Sequence, residues 1–395
     1  MKIVAPFLFS ACAACSANGT HLASPIDLAS PGAHAAAESI DAFGRELHAR
    51  LPKDDNLFYS PTSVALALAM AEQGARGQTK AQLDAVLHLK AGSNATYSGL
   101  QARLDAARDP ALAIANRIYA DGRLAIEPSF AQVAPTDTVD FVHDAEGARA
   151  RINAWVSGGT HERIPELLAP RTVDGSTRLV LVNAVYFKGA WATAFDPRLT
   201  RPDVFHGASD VQVPMMHQAL SGSLGSHGGG AVLDLPYRSD DGPSVSLVIV
   251  VPEEGRTLAD VESAYEREGT LAFVSAASPM AEIDVTLPKL KMNVELRLRE
   301  MLGAMGMPLA FSDQADFSGI TRTEPVAISE VIHKAFVDVN EEGTEAAAAT
   351  GIVAKAGGPP TPLPQFRADR PFLFFLRERD SGVVLFAGRC VDPRS

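Results

Sequence analysis

From Thr344 to Ala356, every second residue is small or apolar: Thr344, Ala346, Ala348, Thr350, Ile352, Ala354 and Ala356. The other parity holds both charges, Glu345 and Lys355, among Ala347, Ala349, Gly351 and Val353. Propensity alone favours a helix for the alanine run. The parity points elsewhere. Alternate residues of a strand face opposite sides of a sheet, so this segment can lie in a sheet with small residues against a core and both charges in water. A charge on the inward parity would be costly to bury, and none is present. Gly343, just upstream, permits backbone angles that other residues resist. A strand of about a dozen residues, at ~1 kcal/mol net per hydrogen bond, gains on the order of 10 kcal/mol, comparable to the stability of a whole domain.

The chain has 395 residues, enough for one large domain or two average ones. Its net charge of −12, with no offsetting basic cluster, argues against nucleic acid and heparin-like polyanions as partners. No apolar run reaches the roughly 20 residues of a membrane span. Residues 1–15 read as a secretory signal: Met1-Lys2, then the apolar stretch Ile3 to Ala14. Cys12 and Cys15 follow small residues and resemble loose bacterial lipoprotein cleavage sites. Both are lipidation candidates, and an ordinary cleaved signal is the alternative. Export to the extracellular space or periplasm is expected, with a membrane anchor if a cysteine is lipidated. Residues 16–35, rich in Ser, Ala, Gly and Pro, read as a flexible tether. That leaves Cys390 without an intramolecular partner and expected to be buried and inert.

Periodicity predicts helices at Ser39–Arg50, Val64–Glu72, Lys80–Leu89 (capped by Thr79), Ala148–Ser157 and Val294–Met305. Strands are expected at Ala113–Tyr119, Ser244–Val251, Glu282–Leu287 and Val326–Asn340. The continuous apolar run Arg178–Phe187 suggests a buried central strand. Phe372–Phe375 and Val383–Arg389 should close a hairpin around Asp380-Ser381-Gly382. Helices cluster early and strands late, an α+β pattern. Ser221–Gly230 is glycine-rich without the lysine of a phosphate loop and reads as a flexible hairpin loop. His161-Glu162-Arg163-Ile164-Pro165 lacks the second histidine of a zinc motif.

Several short motifs stand in order. They are Asn56-Leu57-Phe58-Tyr59-Ser60-Pro61-Thr62-Ser63, Gly74-Ala75-Arg76-Gly77-Gln78-Thr79, Ile152-Asn153-Ala154-Trp155-Val156 and Leu181-Val182-Asn183-Ala184-Val185-Tyr186-Phe187-Lys188-Gly189-Ala190-Trp191. Val213-Pro214-Met215-Met216, Leu287-Pro288-Lys289-Leu290, Val331-Ile332-His333-Lys334-Ala335 and Arg370-Pro371-Phe372-Leu373-Phe374 follow. Each is weak alone. Together, over roughly residues 36–393, the chain resembles the serpins, serine protease inhibitors, and is most similar to exported or lipoprotein serpins of bacterial type. The resemblance implies one serpin domain over 36–395, a monomer without cofactor or metal, and a reactive-centre loop at about 341–365. It also supplies the mechanism: a protease cuts the loop, the freed end enters a large sheet as an extra strand, and the acyl-enzyme is trapped.

By the same resemblance, Glu341, Gly343, Thr344, Glu345 and Ala346, Ala347, Ala348 and Ala349 form the loop hinge. Family spacing puts the cleaved residue at Gly357. Ala356 suits the small pocket of elastase- or subtilisin-like enzymes, and Lys355 a trypsin-like one. Cleavage after Gly358 is disfavoured by Pro359. Cysteine proteases stay open as targets. Ser60, Ser63, Asn183 and His333 are implied to form a hydrogen-bonded cluster beneath the sheet. Trp191 and Lys289 are implied to lie where insertion begins, Lys289 pairing with Glu341. Two rivals remain: a serpin-fold binding protein that is cut without trapping, and a hydrolase using Ser60 and His333, which lacks any G-x-S-x-G elbow.

Overall fold

The run read as a buried central strand, here Leu179–Ala190, lies in the middle of a six-stranded sheet. The computed structural model describes residues 26–90, 93–106, 111–240, 242–344 and 362–394. In chain order they begin with α1 (Pro31–His48), β1 (Leu57–Tyr59), α2 (Pro61–Gly74), α3 (Gly77–Val86) and α4 (Ser93–Asp105). Next come β2 (Ala111–Asp121), α5 (Pro128–Ala131), β3 (Thr136–Val139), α6 (Ala145–Gly159) and β4 (Leu179–Ala190). Then follow β5 (Arg201–His206), β6 (Asp210–His227), β7 (Gly230–Pro236), β8 (Val245–Pro252), α7 (Leu258–Glu268), α8 (Thr270–Ala276) and β9 (Ala277–Pro288). The chain continues through β10 (Leu290–Arg297), α9 (Arg299–Met305), β11 (Ile328–Asn340) and β12 (Gly343–Thr344). It ends with β13 (Gln365–Arg367), β14 (Phe372–Glu378) and β15 (Val384–Cys390).

The six-stranded sheet runs β10–β11–β12–β4–β2–β3. The other strands make a nine-stranded sheet, β1–β15–β14–β8–β7–β6–β9–β13 with β5 on β6. The α+β expectation therefore holds, although helices and strands interleave along the chain. β4 is buried from Leu179 to Phe187 because both its faces are covered. Leu179, Leu181, Val185 and Phe187 join the main core between the sheets. Val180, Val182, Ala184 and Tyr186 join a second core beneath α6 with Ile152, Val156, Ile332 and Phe336. α2 is apolar and buried on nearly all sides, as a helix inside a domain must be. Its start follows from sequence: the Ser60 hydroxyl accepts from Ser63 N and Pro61 occupies the first turn.

Four expectations change. Helix α1 begins at Pro31, with the Ser30 hydroxyl accepting from Ala33 N, so the last residues of the expected 16–35 tether are helical. Thr79 does not cap α3; it sits inside the helix and its hydroxyl accepts from Asp316 N at 2.9 Å. The expected helix at Val294–Met305 is a strand as far as Arg297 and helical only from Arg299. Its apolar positions alternate (Leu290, Met292, Leu296 buried; Lys291, Asn293, Glu295 not), and β11 is there to pair with it. Ser221–His227 belongs to the long strand β6, and only Gly228-Gly229 turn, both at positive φ (62° and 80°). The closing hairpin of β14 and β15 forms as expected.

Phe58 on β1 stacks on Phe386 (4.8 Å, 5°) and Phe374 (5.8 Å, 13°) at the centre of the main core. Phe58→Ala should cost about 3–5 kcal/mol, read as a lower first transition in denaturant. A loss under about 1 kcal/mol would show that the stack contributes little.

Candidate functional site

At one end of the six-stranded sheet, β11 and β4 part and the two residues of β12 lie between them. Gly343 pairs with Asn340 and Ala190, and Thr344 with Val339 and Gly189. Thr344 faces inward and is fully buried, as its parity predicts, and its hydroxyl meets the Tyr237 hydroxyl at 2.7 Å. Burial pushes the Tyr237 phenol up, which keeps its proton in place for that bond. Gly343 has φ of +145°, and a Cβ there would fall 2.1 Å from the Gly189 carbonyl oxygen. No other residue fits this backbone unchanged.

Trp191 and Lys289 converge on the same place. Trp191 Nε1 donates to Asn340 O at 2.9 Å, and its ring stacks on Tyr237 at 4.6 Å. Lys289 Nζ donates to Glu341 Oε2 at 2.8 Å, and the Thr200 hydroxyl donates to Glu341 Oε1 at 2.8 Å. Burial alone would raise the Glu341 carboxyl, but these hydrogen bonds hold it below the usual range. Lys289 is substantially exposed, so the pair contributes at most about 1 kcal/mol. Sequence reading named Trp191, Lys289, Glu341 and Thr344 but missed Thr200 and Tyr237. Neither carries a local signal; tertiary folding alone brings them here.

Midway down the sheet, β11 and β4 pair directly, in parallel, from Ile328–Phe336 against Leu179–Tyr186. His333 stands opposite Asn183 across this seam. Ser60 N donates to His333 Nε2 at 3.0 Å, so that nitrogen carries no proton and Nδ1–H donates to Asn183 Oδ1. Asn183 Nδ2 donates to Ser63 Oγ at 2.6 Å and to Asn116 Oδ1. Asn116 Nδ2 returns to Ser63 O at 3.1 Å. The four residues implied by resemblance do meet. Asn116, a lone amide in the apolar run of β2, is the member that sequence reading missed. This geometry also removes the hydrolase rival. The Ser60 hydroxyl donates to Leu385 O at 2.6 Å rather than to His333, and both residues are buried.

The outer face of the seam is covered by α6 and the chain after it. Asn153 on α6 accepts from Leu167 N and Leu168 N and donates to Leu168 O. Lys334 on β11 donates to Glu166 O at 2.7 Å. Ile164, Leu167 and Leu168 are fully buried by this arrangement. Among the described residues no metal-binding cluster is present. Cys390 is buried, which pushes its thiol up and leaves it unreactive. Glu345, Ala346, Ala347, Ala348, Ala349, Lys355, Ala356, Gly357 and Gly358 lie outside the described residues, as do Cys12 and Cys15.

The six-stranded sheet thus carries a two-residue strand, β12, paired between β11 and β4 at one end. The profile of the family described as Serpin (serine protease inhibitor) matches residues 38–393. The chain belongs to that family and is a protease inhibitor rather than an enzyme. Iris of Ixodes ricinus is 38% identical over 363 residues, 89% of this chain and 96% of its own. The leukocyte elastase inhibitor of Bos taurus is 38% identical over 355 residues, 86% and 93% of the two chains. Uncleaved ovalbumin shares the fold with a TM-score of 0.78 at 28% identity, over 90% of this chain and 99% of its own. The thermophilic serpin tengpin in its native state does so with a TM-score of 0.82 at 24% identity, over 94% and 97%.

Two predictions follow from this geometry. Burial lowers His333 from its usual 6.5 to about 3. The unfolded chain therefore takes up a proton near pH 6.5 that the folded chain refuses. The contribution is intact above pH 6.5 and is lost progressively as pH falls toward 3. At pH 5 the loss is about 2 kcal/mol. Denaturant midpoints of the uncut protein at pH 7.5 and 5 should show it, and His333→Gln should flatten that part of the slope. An unchanged slope in the variant would assign the acid sensitivity elsewhere. Separately, Gly343→Ala should push β12 out of the sheet, seen as faster backbone hydrogen exchange at Thr344. Unchanged protection there would show that the strand shifts to accommodate a Cβ.

Proposed function

We propose that this chain inhibits serine proteases as a suicide substrate, cut near Ala356–Gly357 and trapping the acyl-enzyme by inserting its loop between β11 and β4. The observation that carries this reading is β12: the first residues of the insert already pair with both neighbours. Their register extends along the sheet. Counting on from Thr344 opposite Gly189 and Val339, Thr350 falls opposite both Asn183 and His333. An inserted Thr350 would part the His333–Asn183 bond and present its own hydroxyl in exchange. The inward positions between, Ala346 and Ala348, are small enough for a sheet floor that is already packed. The protease serine attacks the loop carbonyl, the peptide bond breaks, and the new amino terminus leaves with the downstream segment. Insertion of the acylated end then carries the protease along before water can deacylate it.

Small residues around the cleaved bond favour elastase- or subtilisin-like targets, with trypsin-like cleavage after Lys355 and cysteine proteases as further readings. The N-terminal signal pattern supports export, to the extracellular space or periplasm, with Cys12 or Cys15 as the point of lipid attachment. The relatives include proteins of ticks, cattle and wheat, so the export and lipid-anchor reading rests on the N-terminal sequence alone.

Incubation with elastase-, subtilisin-, chymotrypsin- and trypsin-like proteases should give a band at the summed mass that survives denaturing gels. The mass of the released C-terminal peptide chooses among Lys355, Ala356 and Gly357. Thr350→Arg puts a charge on the buried cluster and should turn the inhibitor into a substrate: cut as fast, but with at least about tenfold less complex. Clean cleavage of the unaltered chain by every protease, with no complex, would favour the non-trapping rival.

A further inference from the structure

The cover over the seam is in two parts, tied to opposite banks of it. α6 belongs to the β2 side. The Arg117 guanidinium of β2 lies over the Trp155 ring at 4.6 Å, and Tyr119 meets the same ring edge-on at 6.0 Å. Arg151 Nη1 donates to Thr138 O of β3 at 3.3 Å. Residues 163–172 belong to the β11 side. Lys334 of β11 donates to Glu166 O at 2.7 Å, and Arg297 of β10 donates from Nη2 to the Thr172 hydroxyl at 3.3 Å. Two side chains of α6 bridge the parts. Asn153 holds the Leu167 and Leu168 backbone, and Arg149 Nη1 donates to Leu168 O at 2.8 Å and Glu166 Oε1 at 2.7 Å.

Backbone strain collects at the two ends of the second part. Among the described residues, the non-glycine residues with left-handed backbones are His88, His161, Glu162 and Arg171. His161 and Glu162, at φ of 50° and 63°, join this part to α6. Arg171, at φ of 67°, joins it to the approach to β4. In this conformation a Cβ crowds the following carbonyl oxygen. All three side chains are exposed, so their own burial does not require the strain. Between the joints, Pro165 and Pro170 each fix a φ and stiffen the piece. Ile164, Leu167 and Leu168 are fully buried inside it and hold the joints in place. Strain of this kind persists only where the surroundings over-determine it.

We propose that residues 163–170 form a strained flap that swings off the seam about the His161–Glu162 and Arg171 joints while α6 stays docked on β2, and that its opening is the step that frees β11 from β4. The second half of the proposal rests on the insertion reading above. Each opening breaks the bonds to Asn153, Arg149 and Lys334 and relaxes both joints. The flap therefore opens more often than its buried side chains alone would permit, and the cover need not lift as one piece.

Hydrogen exchange of the uncut protein tests the flap. The Leu167 and Leu168 amides should exchange at least about tenfold faster than those of Ile152 and Val156 in α6. The double variant His161→Gly with Glu162→Gly removes the crowding and should slow Leu167 and Leu168 about tenfold. His88→Gly, at a left-handed residue of α3 away from the seam, should leave them unchanged. Lys334→Met removes the tie to β11 and should speed them without touching α6. The flap is overturned if Leu167 and Leu168 exchange in step with Ile152 and Val156, or if the double glycine variant exchanges as fast as wild type. Challenged with one elastase-like protease, that variant should be cut as fast as wild type and give at least about threefold less complex. An equal yield of complex despite slowed exchange would overturn the flap's part in opening the seam. Failure of the insertion reading looks different: wild type would give no complex with any protease, while exchange would still decide whether the flap exists.

Discussion

The contact on which the rest of the structure depends is the direct parallel pairing of β4 with β11. The two strands are neighbours at the middle of the sheet yet are separated by β12 at one end. Parallel neighbours that leave room for an antiparallel strand between them are incompletely satisfied in a particular sense. A strand between them would pair with both, doubling the ladder hydrogen bonds along that line. The closed seam is held because the two strands supply each other's backbone partners. Gly343 and Thr344 already hold that doubly paired arrangement.

Two layers hold the remainder of the seam shut. Beneath it, His333, Asn183, Asn116, Ser60 and Ser63 form a buried polar network joined by hydrogen bonds from each member to the next. Above it, α6 and the chain following it lie across both strands, tied to β11 by Lys334 and packed on Val182, Tyr186, Ile332 and Phe336. Parting the strands exposes buried polar atoms on one face and apolar side chains on the other, both unfavourable in the interval before a new strand arrives. A polar network suits this role better than an apolar one. An incoming hydroxyl or amide can replace its hydrogen bonds, whereas an apolar floor would close without preference for what enters.

Much of this was legible in the sequence, for different reasons. The buried strand β4 announced itself as an unbroken apolar run, and the inward face of Thr344 as parity. The resemblance brought Ser60, Ser63, Asn183 and His333 together, which no spacing could, since they come from α2, β4 and β11. The failures are equally physical. Val294, Leu298, Met301, Leu302 and Met305 have the spacing of a helix, but residues 294–297 alternate and pair with β11, so only the later part is helical. Glycine-rich Ser221–His227 reads as a loop locally, yet it pairs with β7 on one side and β9 on the other. Thr200, Tyr237 and Asn116 act through contacts more than 50 residues away in sequence, and nothing near them in the chain marks them.

The two ends of the seam differ in their chemistry. At the β12 end the determinants are steric and neutral: a glycine whose Cβ would strike Gly189 O, a buried hydroxyl pair, and stacked aromatic rings. The one ion pair there, Lys289 with Glu341, is half in water and contributes little. At the far end the lining is charged, with Asp174, Arg178, Arg299, Asp313 and Glu330 around it. A shape-specific end discriminates by fit and a charged end by charge, so the two ends of the seam select on different physical properties.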